Sequence, residues 1–184
     1  MAKYRWHEHD FITEVATRRG YHLTGGRSSP WRLSGGTPGS SWTTTLTPAS
    51  GELPASILWR CPDLRASPTD PTRQLVVEPR SSTPTLRSLF GRKPLPEPPG
   101  ILGPLWTVND PSRVLDPSLT PWFAHWPPAW WGPNDTRPAT LGSLWLNQYG
   151  LDLQSQDWWC SAPALDQLIN LGVDIAGRLR RAGF

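Results

Sequence analysis

The chain has 184 residues, enough for one domain that buries roughly 70% of the surface its unfolded form exposes. Its 22 Pro and 16 Gly approach a low-complexity composition, but 12 Trp spread along the whole length argue against disorder, because disordered chains lack aromatics. The net charge of +3 is too mild to mark a nucleic-acid-binding protein by itself, and of the 18 basic residues only Lys3 and Lys93 are lysines.

In chain order, residues 6–19 (WHEHDFITEVATRR) predict a helix with Phe11, Ile12, Val15 and Ala16 inward, ended by Gly20. The start, MAKYRWHEHD, is charged and has no apolar core, so no secretory signal is expected there. No run approaches the ~18 apolar residues needed to span a membrane, and none is expected to do so. His7, Glu8, His9 and Asp10 resemble a metal-ligand cluster in composition only. On a helix, residues two apart diverge, so a solvated helix start is the better account and no metal or other cofactor is expected.

A ten-residue repeat follows, YHLTGGRSSP at 21–30 and WRLSGGTPGS at 31–40, which reads as two short strands, each ending in a Gly-Gly turn. Neither Gly-Gly precedes a Lys-Ser/Thr pair or a helix, so neither phosphate-loop fingerprint is met. Trp42–Thr47, Ser56–Arg60 and Arg73–Glu78 predict three more strands. These five make an antiparallel meander, since no connection is long enough to carry a helical crossover. Thr85–Phe90 has room for one helical turn. Residues 91–100 (GRKPLPEPPG) are a Pro-rich linker with polyproline II character. Lys93, Pro96 and Pro99 match a spacing that aromatic-grooved peptide readers accept, though a spacer accounts for them as well.

Beyond the linker, Pro104–Val108 predicts a strand. Asp110–Ser112 and Asp116–Ser118 each place Asp at a helix cap and Pro at the first helical position, so each predicts a short helix. In the second, Leu119, Trp122, Phe123 and Trp126 share a face. Residues 141–181 carry the strongest pattern. Leu144 and Leu146, then Leu151 and Leu153, alternate as two strands joined at Gln148–Gly150. After Ser161 as N-cap, Leu165, Leu168, Ile169, Gly172, Val173, Ile175, Ala176 and Leu179 recur at helical spacing. Asp166 suits the first turn, Arg178, Arg180 and Arg181 suit the last, and Gly183 suits the C′ position.

The expected fold is therefore α+β, a mainly antiparallel sheet of about five to eight strands with an N-terminal helix, short central helices and a long C-terminal amphipathic helix. It is expected to be a single domain over 1–184, in which 91–100 separates a helix/meander part from a strand/hairpin/helix part. Cys61 and Cys160 lie too far apart for a metal knuckle or redox pair and are expected as unpaired thiols in a cytoplasmic protein. Cys160 beside two tryptophans, with His125 as a conceivable base, fails as a nucleophile because apolar neighbours raise a thiol's pKa. Asp135 with Arg137, and Asp157, lie in aromatic surroundings where burial would raise a carboxylate's pKa, yet no catalytic constellation forms around them. An enzyme is not the favoured reading.

Tryptophan density is the most unusual feature. Trp122, Trp126, Trp130, Trp131, Trp145, Trp158 and Trp159 are more than a core of this size is expected to absorb, so some should anchor a surface. The expected function is a non-catalytic protein-interaction protein (accessory subunit, adaptor or immunity-type partner), docking another protein through Trp122, Trp126, Trp130, Trp131, Trp158 and Trp159. The alternative is nucleic-acid binding through exposed aromatics and Arg27, Arg32, Arg60, Arg65, Arg73, Arg80 and Arg87 along the sheet.

Overall fold

The computed structural model describes residues 9–26, 29–47, 56–67, 70, 74–79, 106–110, 113–115, 142–156 and 162–184. They form helix α1 (His9–Arg19), strands β1 (His22–Gly26), β2 (Ser29–Gly35), β3 (Trp42–Thr47), β4 (Ser56–Cys61), β5 (Leu75–Pro79), β6 (Trp106–Asn109), β7 (Ser143–Asn147) and β8 (Gly150–Gln156), and helix α2 (Ala162–Arg181). The architecture is α+β, with all eight strands in one antiparallel sheet of order β1-β2-β3-β4-β8-β7-β5-β6.

Alternation puts the core on one face of this sheet. Trp42 and Leu46 of β3, Ile57, Trp59 and Cys61 of β4, Leu151 and Leu153 of β8, and Leu144 and Leu146 of β7 are all buried and belong to one cluster. Helix α2 closes the cluster with Leu165, Leu168, Ile169, Ile175 and Leu179, and α1 adds Ile12, Val15 and Ala16. Both helices stop in the same way. Gly20 (φ 70°) and Gly183 (φ 86°) adopt the left-handed conformation that ends a helix. Tyr21 N–H then reaches back to the Ala16 carbonyl (2.9 Å) and Phe184 N–H to the Leu179 carbonyl (3.1 Å), with each aromatic ring packed on the core. The helices are joined at one end by Arg19, whose guanidinium makes a two-point contact with Asp166, with Nε 2.8 Å from Oδ1.

Three expectations are corrected. The five-strand meander stops at β4, because the β7–β8 hairpin lies between β4 and β5. Cys61 and Trp59 pair with Leu151 and Leu153 instead, burying four apolar side chains in register. The connection after β4 crosses the end of that hairpin, where Ala66 N–H donates to the Asn147 carbonyl at 3.0 Å. Only a short turn enforces pairing between consecutive strands, and this connection is long. The helix expected from Asp110–Ser112 is absent at the described residues 113–115. Asp110 does act as a cap, accepting from Val114 N–H (2.9 Å) and Leu115 N–H (2.8 Å), but Arg113 has φ 51°, which a continuing helix forbids. Val173, expected inward on α2, is 46% exposed. The helix expected from Asp116–Ser118, the turn at Thr85–Phe90 and the linker 91–100 lie outside the described residues.

Candidate functional site

Beside the second half of α2 lies a 270 Å³ groove. Beneath it lie the buried Trp42, Trp59 and Cys61, its helical wall is Val173, Ala176, Gly177 and Arg180, and the β2–β3 connection (Gly36, Thr37, Ser40) forms the third side.

The two indoles are held from behind by glycines. Gly35 is the register partner of Trp42 across β2 and β3, and a Cβ there would lie 2.6 Å from Trp42 Cζ2 and 3.1 Å from Tyr21 Cδ1. Gly172 does the same for Trp59, whose ring fusion occupies the place a Cβ would take. With those side chains missing, the rings lie in a loose stack at 6.4 Å and 24°, and Tyr21 meets Trp42 edge-on at 4.7 Å. Burial pushes the Tyr21 phenol above its usual pKa. Trp59 is fully buried and its Nε1 has no hydrogen-bond partner among the described residues, and the same holds for Oγ1 of Thr44, its register neighbour.

The rim is polar and asymmetric. Arg180 Nη2 donates to the Gly39 carbonyl (3.1 Å) and approaches the free thiol of Cys61 (Sγ at 3.4 Å), tying α2 to the β2–β3 connection. Ser41 donates to Asp63 Oδ2 from both its backbone N–H (2.9 Å) and its hydroxyl (2.7 Å). The Ser41 hydroxyl and then its N–H hold the Asp63 carboxyl below the usual carboxylate range, with Arg180 and Arg65 contributing less. No ion pair joins Arg180 or Arg181 to a carboxylate among the described residues. Arg181 is exposed and runs back along the helix, its Nη1 3.5 Å from where a Cβ on Gly177 would be. By contrast Arg178 is paired with Asp174 at 2.8 Å.

This is not the surface expected from the sequence. Trp122, Trp126, Trp130, Trp131, Trp158 and Trp159 lie outside the described residues, as do Cys160, His125, Asp135, Arg137, Asp157, His7 and Glu8. His9 and Asp10 begin α1, but their side chains are outside the description as well. Of the arginines proposed for nucleic acid, Arg27, Arg73, Arg80 and Arg87 also lie outside it. Arg60 forms a two-point pair with Asp152 (both contacts 2.7 Å), Arg65 donates to the Pro62 carbonyl (2.9 Å), and Arg32 is exposed. Trp42, Trp59 and Arg180 had no functional role in the sequence reading. The cue was present in Gly35 and Gly172, but which indole each glycine faces depends on strand pairing and helix docking. No helix among the described residues is long and apolar enough to cross a membrane. No protein-family model, curated protein or solved structure matches the chain.

Proposed function

We propose that the protein is a non-catalytic interaction protein (an accessory subunit, adaptor or immunity-type partner) that seats an anchor side chain of another protein in the groove beside α2. The observation that carries this reading is Val173, an apolar side chain 46% exposed on the lip of the groove, above the two buried indoles. Protein interfaces concentrate their energy where a large side chain fills such a pocket and its surroundings exclude water. A volume of 270 Å³ is enough to take one bulky side chain. The Trp122, Trp126, Trp130, Trp131, Trp158 and Trp159 surface remains part of the same proposal. Nucleic-acid binding has less support, since the Arg60 guanidinium is engaged by Asp152.

The test is capture from native cell extract at low and high salt, with nuclease treatment in parallel, using wild type, Val173→Glu, and Trp130→Ala with Trp131→Ala. The proposal expects a protein retained at high salt and after nuclease by wild type, and lost with Val173→Glu. Undiminished capture by Val173→Glu would move the docking site off the groove, and losing that capture with the Trp130/Trp131 variant would place it on the aromatic surface. Loss of all capture with salt or nuclease would overturn protein docking in favour of nucleic acid.

A further inference from the structure

Resting on that docking reading, we infer that the partner segment taken by the groove is acidic and hydrophobic: an aromatic or branched side chain against Val173, above the buried indoles, flanked by carboxylates that reach Arg180 and Arg181. The groove's polar inventory decides the sign. Arg180 uses Nη2 on Gly39 and Cys61, which leaves Nε and Nη1 without an acceptor among the described residues. A guanidinium carries five N–H donors and accepts nothing, so the rim asks for acceptors. Arg181 adds a second guanidinium beside Gly177, again with no carboxylate partner among the described residues.

Asp63 is the carboxylate that senses Arg180, but it forms no ion pair with it, and Ser41 already places two donors on its Oδ2. Inside the rim, the walls are indole, Val173 and Ala176. A cationic segment would set like charges against these arginines, an unfavourable arrangement. A carboxylate at an arginine gains a charge-assisted, often two-point contact, while the neighbouring apolar side chain fills the cavity.

The experiment titrates capped peptides into the full chain and follows the indole N–H resonances of Trp42 and Trp59. The probes are acetyl-Gly-Asp-Phe-Glu-Gly-amide, its Asn/Gln counterpart, and its counterpart with Ala in place of Phe. The acidic Phe peptide is expected to shift both resonances saturably and to bind about ten-fold more tightly than either counterpart. Added salt should narrow its advantage over the Asn/Gln peptide. Arg180→Gln should abolish the preference for carboxylate, and Arg181→Gln, at an exposed position with no ion pair among the described residues, should reduce it without altering the thermal midpoint. Equal binding of the acidic and Asn/Gln peptides would overturn the carboxylate part, and equal binding of the Phe and Ala peptides the anchor part. If no peptide moves either resonance, the inference fails, whereas the docking reading stands or falls on capture by Val173→Glu.

Discussion

The two halves of α2 rest on the same strands but do different things with them. In the first half Ala164, Leu165, Leu168 and Ile169 are fully buried, Gly172 lets the Trp59 ring come against the helix backbone, and Asp166 is gripped by Arg19. In the second half Ile175 and Leu179 still reach the core, but Val173 is exposed, and Ala176 and Gly177 face a cavity. Trp59 belongs to both halves, as a core residue under Gly172 and as the floor of the groove. Close packing and an open groove thus lie within about two turns of one helix, and the switch between them occurs where Gly172 gives way to Val173. The lesson is that an apolar stripe marks what must leave water, not what covers it.

The most damaging way to break this contrast is Trp59→Ala, which removes the shared residue. It should cost ~3–5 kcal/mol and lower the thermal midpoint by about 6–20 °C, read by calorimetry. Gly172→Ala and Gly177→Ala then separate the halves directly. At Gly172 the added methyl runs into the Trp59 ring, and overpacking outweighs the gain in helix propensity, for a net loss of ~1–2 kcal/mol. At Gly177 the methyl meets only the Arg181 Nη1 at ordinary contact distance, so the same substitution should stabilise by about 0.5–1 kcal/mol. Two glycines five positions apart should move the midpoint in opposite directions, and a fall at both would show that the groove half is packed as tightly as the first. Val173→Glu should change stability by less than about 0.5 kcal/mol, as exposed positions do.

The smallest effect concerns pH. The Asp63 carboxyl is held below its usual pKa by Ser41, so its ionised form favours the folded state. That contribution is complete above the ordinary aspartate value of about 4 and is lost as pH falls through the depressed folded value. Asp63→Asn should therefore lower the midpoint slightly at pH 7 and flatten its decline in acid, as followed by thermal denaturation from pH 7 to pH 2. An unchanged acid limb would detach Asp63 from the groove's stability.

Much of the fold was legible along the chain. Phe11, Ile12, Val15 and Ala16 on α1, the alternation of Trp42–Thr47, the Leu144/Leu146 and Leu151/Leu153 pairs, and Gly20 and Gly183 as helix ends all follow from local periodicity and backbone freedom. The groove was not legible. Val173 shares the helical spacing of its buried neighbours, and Trp42 and Trp59 read only as residues of two strands. Arg180 reads as a cation suited to a helix C-terminus, with nothing to show that it would reach Gly39 across the sheet.

By itself the sequence determined where helices and strands begin, which of their faces turn inward, and how both helices end, because those outcomes depend on residues within a turn or two of each other. Tertiary structure alone decided that the β7–β8 hairpin separates β4 from β5, that Gly35 and Gly172 back the two indoles, and that Arg180 reaches the Gly39 carbonyl and the Cys61 thiol at the rim of the groove. Those outcomes depend on pairing between residues far apart in the chain, where burial of whole faces outweighs any local preference.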